Sequence, residues 1–184
     1  TAAFSAYAIC SILDRLNIAN EAIGFTTGEY SSDVVKSIAR DPLRGQYARM
    51  CTLEIPIFKE FGERLDASTK ARFIEAVRGQ NVRASSNVDG ESVLLAYRRL
   101  MTRKESRKIM LVLSDGRPAA AGAGNLGEHL QGAVKSIAAS GVEIFGLGIC
   151  DQSVRSYYPK HAVINNVQEL PGAMIGELKR FLLG

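Results

Sequence analysis

The chain has 184 residues, of which 46% are hydrophobic and 23% are charged, and its net charge is +4. These values are typical of a globular domain, and no apolar run reaches the roughly 18 residues of a membrane-spanning helix. The chain has only two histidines, and its three cysteines lie far apart in apolar contexts, which argues against a zinc site. We therefore expect a single domain over residues 1–184, with buried free thiols, located in the cytoplasm and without membrane association.

The first third of the chain predicts a helix followed by two extended segments. Residues 1–16 are apolar almost all round, which predicts a buried helix that begins without a preceding strand or cap. Residues 20–25 predict a short strand in parallel pairing, with residues 26–28 as its exit loop. Residues 51–61 predict an edge strand or extended segment, because Pro56 has no N–H group to donate.

The rest of the chain alternates helices and strands. Asp66 is expected to cap a helix that ends at Gly79, with Phe73, Ile74 and Val77 facing inward. The later predicted elements are an amphipathic helix from Val93 to Met101, a helix over 126–140, a buried strand over 142–149, a short strand over 162–164 and a closing helix over 166–183. This alternation predicts an α/β fold with an open, doubly wound, mostly parallel sheet and helices on both faces.

Five consecutive apolar residues, Ile109–Leu113, predict a strand buried on both faces in the middle of that sheet. The strand stops at Ser-Asp-Gly, where Asp115 projects from its carboxyl end. Ligands of open α/β sheets bind at this edge, so Asp115 is a candidate ligand for a hard cation such as Mg²⁺ or Mn²⁺. The alternative is that Asp115 only caps the segment that follows.

A polar loop before the Val93 helix adds oxygen donors to this hypothesis. Asn87 and Asp89, with Glu91 behind them, arrive at a helix N-terminus two elements upstream of Asp115. We predict that Asn87 and Asp89 share a cation with Asp115. The alternative is a capping role for Asn87 or Asp89, and both roles are compatible.

The segment 98–108 carries six basic residues in eleven. Arg98, Arg99, Arg103 and Lys104 are candidate partner-binding residues. The alternatives are a solvated helix end, where cations suit the helix dipole, and a nucleic-acid patch. The nucleic-acid alternative is the weaker one, because no aromatic residues are interleaved with the charges.

Other chemistry finds little support. The chain has no phosphate loop, its Gly146-Leu-Gly148 pair lies inside a strand rather than before a helix, and no Gly-x-Ser-x-Gly elbow occurs. His129 is expected on the solvated side of its helix, and His161 in a loop. We therefore predict no catalytic residue.

The order of these motifs resembles a von Willebrand factor type A (vWA) domain. More narrowly, residues 100–118, 154–158 and 169–174 resemble the C-terminal domain of the CobT subunits of aerobic cobaltochelatase. The resemblance implies a metal-ion-dependent adhesion site formed by three loops: Asp-x-Ser-x-Ser after the first strand, a Thr before a later helix, and an Asp after the fourth strand. Asp115 matches the last of these, Asn87 stands at the Thr position, and the first loop is not in this chain. We therefore expect an N-terminally incomplete domain that lacks its first strand, with the gene extending upstream by roughly 15 residues.

The resemblance also implies a role. A CobT-type subunit is non-catalytic and works with a ring-forming AAA+ ATPase and a large chelatase subunit to insert cobalt into a corrin ring during cobalamin biosynthesis. The vWA domain would bind a partner carboxylate through Mg²⁺. An adaptor of another MoxR-type AAA+ remodelling complex is the alternative that the same fold allows.

Overall fold

The computed structural model describes residues 2–38, 48–79, 85–120, 123–166 and residue 169. The helices in these ranges are α1 (Ala2–Arg15), α2 (Ser32–Ile38), α3 (Ala67–Arg78), α4 (Asp89–Met101), α5 (Leu126–Ala139) and α6 (Val154–Tyr157). The strands are β1 (Ala22–Ile23), β2 (Thr26–Tyr30), β3 (Cys51–Glu54), β4 (Ile57–Lys59), β5 (Ile109–Ser114), β6 (Glu143–Ile149) and β7 (His161–Ile164).

Three parallel strands form the main sheet, in the order β5-β6-β7. Their register pairs Ile109 with Glu143 and Ser114 with Gly148, so β5 and β6 end side by side. The expectation that Ile109–Leu113 lies in the middle of the sheet is wrong for the described residues, where β5 pairs with β6 alone and β6 is central. The strand itself is confirmed, and it ends at Ser114, directly before Asp115.

Both faces of β5 are covered by helices. Met110 and Val112 pack with Val93 of α4 and with the inward face of α5. Leu111 and Leu113 point the other way and pack in a cluster that contains Ile9 of α1. The alternating packing explains why the strand is apolar at successive positions.

The sequence predicted parallel pairing for the first strands, but they pair antiparallel. β1 pairs antiparallel with β4, and β2, which occupies the predicted exit loop, pairs antiparallel with β3. The prediction failed because a strand's partner is chosen by long-range contacts that local apolar spacing does not encode. Pro56 does interrupt the 51–61 segment, since it separates β3 from β4 and its carbonyl accepts a hydrogen bond from Gly24 N at 2.8 Å.

Helices α3 and α5 end at the glycines that the sequence contains directly after them or one residue later. Asp66 accepts a hydrogen bond from Thr69 N and caps α3, and Gly79 ends the helix in the left-handed conformation. α5 buries Leu126, Leu130, Ala133, Val134 and Ile137 and is followed by Gly141 at φ 89°. The predicted inward face of α3 is wrong in part: Phe73 is buried, but Ile74 and Val77 are exposed, because α3 packs on α1 and β4 through a narrower stripe.

α1 is confirmed as a helix but not as a fully buried one. Ile9 and Cys10 are buried, whereas Phe4, Ile12 and Leu16 are exposed in the part of the chain that the structure describes. The expectation of buried thiols holds for Cys10 alone, because Cys51 is half-buried and Cys150 is exposed; all three are free.

Near the C-terminal end of the chain, Glu169 N donates to Asn166 Oδ1 at 3.0 Å, which is the hydrogen bond that a capping asparagine accepts at the start of a helix. The rest of the predicted closing helix lies outside the described residues. The α/β class and the parallel sheet are thus present, and the doubly wound order of a larger sheet stays a prediction.

Candidate functional site

The site is formed where β5 ends and α4 begins. Asp115 directly follows β5 and is exposed, and Ser114 Oγ holds the turn by donating to Gly116 O at 3.0 Å. The following segment does not start a helix, since α5 begins only at Leu126 after Asn125. The alternative role of Asp115 as a helix cap therefore finds no support among the described residues.

The Asn87 loop is tied to the Asp115 loop through the backbone. Asn87 N donates to Ala119 O at 2.8 Å, and Ala119 N donates to Asn87 O at 3.0 Å. A third contact, from Thr27 N to Ser86 O at 3.0 Å, joins the Asn87 loop to β2. Further along the same connection, Gly124 forms a bridge with Ala48.

Asp89 is the first residue of α4 and is only 1% exposed. Its Oδ2 accepts a hydrogen bond from Asn87 Nδ2 at 2.5 Å. Burial raises the pKa of Asp89 to about 6, the Asn87 bond opposes that shift, and the charge of Asp115 adds to it. Two carboxyl groups are therefore held within electrostatic reach of each other, one of them buried.

The capping alternative for this loop is wrong. The N-cap residue of α4 is Val88, which makes no side-chain cap bond, so neither Asn87 nor Asp89 is the N-cap of this helix. The Asp89 carboxyl accepts from the Asn87 amide and from its own backbone N–H, whereas an N-cap side chain would accept from the N–H groups two or three residues further on. The sequence spacing suited both roles, and only the side-chain geometry separates them.

Glu91 does not join the site. It accepts hydrogen bonds from Arg49 Nε at 2.6 Å and from Arg49 Nη2 at 2.5 Å, and Arg49 also donates to Cys51 O. This bidentate pair fastens residues 48–51 to the first turn of α4. Arg49 carried no sequence signal, because it lies between two segments with weak periodicity.

Two aromatic side chains that the sequence did not place at the site lie behind it. His129 was expected on the solvated side of α5, but it is 1% exposed. Its ring packs on Gly90, where a Cβ would come within 2.3 Å of Nδ1, so the absence of a side chain at Gly90 lets α5 approach α4. Tyr158, also 1% exposed, packs on Gly146 in the same way.

His161 is the first residue of β7 rather than a loop residue, and its Nδ1 donates to Tyr158 O at 2.8 Å. The glycines could have signalled these contacts: Gly146 lies within a buried strand and Gly90 within a helix start, where a missing side chain makes room for a neighbour. What the sequence could not supply was the identity of that neighbour.

A cavity of about 460 Å³ lies beside the site. It is lined by Pro118, Ala119 and Ala120 and by residues 123–128, which belong to the loop after Asp115 and to the first turn of α5. The cavity is open to solvent and lined mostly by small residues, and Asn87, Asp89 and Asp115 are not among its lining residues.

Three of the six basic residues in the segment 98–108 form ion pairs. Arg99 binds Glu21 at 2.9 and 2.6 Å, Arg103 binds Glu105 at 3.1 and 2.6 Å, and Arg107 binds Glu143 at 2.6 and 3.3 Å. Arg98 and Lys104 are exposed and form no ion pair within the described ranges. These pairs reduce the free positive charge that a nucleic acid would meet.

The side chains of the candidate site carry the type of atom that a hard cation binds. Asp89 and Asp115 have carboxylate oxygens and Asn87 has an amide oxygen, which are the ligand atoms that hard cations prefer. Burial is the main cause of the raised pKa of Asp89, and the charge of Asp115 adds to it. Among the described residues, no group of three or more His, Cys, Asp or Glu side chains is placed to hold a metal ion.

Within the described ranges, none of the helices is both long and apolar enough to cross a bilayer. No solved structure matches the chain. A family model described as "Cobalamin biosynthesis protein CobT VWA domain" matches residues 1–184, the whole chain, and is consistent with the α/β fold. This chain belongs to the family of VWA domains of the cobalamin biosynthesis protein CobT.

Proposed function

We propose that this chain is a non-catalytic, metal-dependent interaction domain of a cobaltochelatase. The observation that carries the proposal is the backbone pairing of Asn87 with Ala119, which holds the Asp89 loop and the Asp115 loop together at the carboxyl end of β5. Asp115, Asp89 and the Asn87 side-chain oxygen would hold Mg²⁺ or Mn²⁺. The bound cation would supply an open position for a carboxylate of a partner protein.

The partners that fit this role are an AAA+ ATPase ring and the large chelatase subunit, which together would insert cobalt into the corrin ring with ATP. Family membership supports the cobalamin context. The cavity lined by Pro118 and its neighbours, on the loop that follows Asp115, would accommodate a segment of the partner. Another MoxR-type AAA+ complex would use the same contacts, so the captured ATPase decides between the two.

The exposed basic residues give this domain a second contact area. Arg98 and Lys104 are exposed and form no ion pair with described residues, so we assign them the attraction of an acidic partner surface. Arg99 and Arg103 hold glutamates of this chain and would contribute less. A charge at the rim of an interface mainly raises the association rate.

The test is capture of partners by the full-length subunit from an extract of its source cells, with Mg²⁺ or with EDTA, read by mass spectrometry. The variants are Asp115→Ala and, as a matched control, Asp151→Ala, a carboxylate at the end of the neighbouring strand β6. We expect an AAA+ ATPase to be retained in Mg²⁺ and lost both in EDTA and with Asp115→Ala. Retention in EDTA, or with Asp115→Ala, would refute the metal bridge.

A further inference from the structure

Two backbone bridges connect the segments around the candidate site. The first joins Asn87 to Ala119 through two hydrogen bonds of 2.8 and 3.0 Å. The second joins Ala48 to Gly124: Ala48 N donates to Gly124 O at 3.0 Å, and Gly124 N donates to Ala48 O at 3.3 Å. The connection that follows Asp115 is therefore paired at one position with the loop before α4 and at another with the segment that leads into β3.

Arg49 links these two partner segments to each other. It follows Ala48 directly and binds Glu91 in the first turn of α4, with Nε donating to Oε2 at 2.6 Å and Nη2 donating to Oε1 at 2.5 Å. The third guanidinium nitrogen, Nη1, donates to Cys51 O. Only 9% of the Arg49 side chain is exposed. Because all three nitrogens donate to protein atoms, the guanidinium is held in one orientation.

These contacts form a closed ring around the candidate site. From the start of α4, the ring passes through the first bridge to the connection after Asp115, through the second bridge to residue 48, and back to α4 through the Arg49–Glu91 pair. Asp115 and Asp89 lie on two different segments of this ring. Each bridge consists of a single residue pair, so the ion pair that closes the ring limits how far the two segments can move apart.

We propose that Arg49 is a positioning residue for the cation site. By binding Glu91, it fixes the spacing between the loop of Asp115 and the loop that carries Asn87 and Asp89. Groups that hold metal ligands in place without touching the metal change metal affinity about 10-fold to 100-fold when they are replaced. This inference rests on the proposed function, because it gives Arg49 a role at the cation site proposed there.

The direction of the expected effect separates positioning from simple electrostatics. Arg49 is positively charged, and removal of a positive charge close to a cation site strengthens cation binding where charge repulsion alone decides it. Arg49→Ala should instead weaken Mg²⁺ binding, because the two loops lose their fixed spacing. Glu91→Gln breaks the same ion pair, so the double variant should bind Mg²⁺ no more weakly than the weaker of the two single variants.

The first experiment measures Mg²⁺ affinity by calorimetry on the full-length subunit, with Asp115→Ala identifying the heat that belongs to the candidate site. We expect Arg49→Ala to weaken this binding about 10-fold. Arg49→Lys, which keeps the charge but loses the bidentate geometry, should weaken it too and replaces Arg49→Ala if that variant does not fold. The matched control is Arg107→Ala, which removes another two-bond pair, to Glu143, at the opposite end of β5 and should leave the affinity unchanged. Unchanged or tighter binding by the folded Arg49 variants would overturn the role of Arg49.

A second measurement needs no metal and separates this inference from the proposed function. Hydrogen exchange in EDTA, read by mass spectrometry on peptides that cover residues 115–124, reports on amide groups of both bridges. Peptides from β6 serve as the internal reference for overall stability. We expect faster exchange over 115–124 in Arg49→Ala than in Arg107→Ala, and equal exchange would overturn the inference. If the unsubstituted protein binds no Mg²⁺, the metal site itself is refuted, whatever the exchange shows.

Discussion

The acidic side chains near the two ends of helix α4 differ in whether a basic residue pairs with them. At the C-terminal end, Arg99 pairs with Glu21, and the nearby Arg103 pairs with Glu105, each through two hydrogen bonds. At the N-terminal end, Asp89 is buried within electrostatic reach of Asp115, and no described basic residue pairs with either. The nearby guanidinium of Arg49 is engaged by Glu91 instead.

The charges at the C-terminal end of α4 therefore serve the stability of the fold, whereas those at the N-terminal end belong to the candidate site. The C-terminal end is electrostatically complete, so its charges stabilise the fold without further help. The N-terminal end keeps two carboxyl groups at a cost to stability, which a protein tolerates where a ligand later provides the missing charge. The contrast predicts that substitutions at the two ends change stability in opposite directions.

The largest effect is expected from Asp89→Asn, which should stabilise the metal-free protein. The pKa of Asp89 is raised from 3.8 to about 6, so the charged carboxylate destabilises the fold at neutral pH. Removing it should raise the free energy of unfolding by about 2–3 kcal/mol at pH 7. Urea unfolding in EDTA would measure the change.

The pH dependence gives the sign of this effect independently. Because the folded protein binds the Asp89 proton more tightly than the unfolded chain, the penalty is absent below about pH 4, grows up to about pH 6 and is constant above. The stability gap between Asp89→Asn and the unsubstituted protein should therefore close as the pH falls from 7 to 4. A control is Asp151→Asn, where the hydrogen bonds from Ser153 lower the pKa of Asp151 and no such gap is expected. A stability difference between Asp89→Asn and the unsubstituted protein that stays the same from pH 7 to pH 4 would contradict the raised pKa of Asp89.

Local signals in the sequence predicted the elements, and long-range contacts decided how they pair. The unbroken apolar run Ile109–Leu113 predicted β5, and Asp66 and Gly79 predicted the two ends of α3. The antiparallel pairing of β1 with β4 was missed, because Ala22 and Lys59 are brought together only by the packing of α1 and α3 around them. The helix α2 was missed because its seven residues are too few for a clear period.

The same division holds at the site. The neighbouring positions of the Asp115 loop and the Asn87 loop could be predicted, because one follows a buried strand and the other precedes a helix, and backbone bonds between Asn87 and Ala119 join them. The role of these residues as cation ligands stays a prediction. The positions of Tyr158 and His129 could not be predicted, since each occupies space left by a glycine on another element. Hydropathy places a tyrosine or a histidine at a surface as readily as in a core, so burial depended on contacts that the sequence does not name.

At the other end of α4, Arg99→Ala should destabilise the protein by about 1–2 kcal/mol. The partner carboxylate of Glu21 is 7% exposed and would be left without its charge, although Arg99 itself is 40% exposed, which keeps the cost below that of a fully buried pair. Adding Glu21→Gln to Arg99→Ala should recover part of the loss. Arg98→Ala, on the exposed neighbour, is the control and should change little; an equal loss from Arg98→Ala would show that helix propensity and not the ion pair is being measured.

The smallest effect is expected from Arg103→Ala, a loss of stability smaller than that from Arg99→Ala, because an exposed ion pair contributes little. Glu105 is exposed, so its charge remains solvated when the arginine is removed, and added salt should shrink the difference further. Part of the effect should survive salt, because the Arg103 guanidinium also lies 5.0 Å from the centre of the Phe61 ring. Arg103→Lys separates the contribution of the charge from that of the guanidinium geometry. Lysine keeps the positive charge but can neither stack its head group on the Phe61 ring nor form the bidentate hydrogen bond to Glu105. If the loss from Arg103→Ala in urea unfolding vanished completely at high salt, the ring contact would contribute nothing, and the C-terminal end of α4 would be held by ion pairs alone.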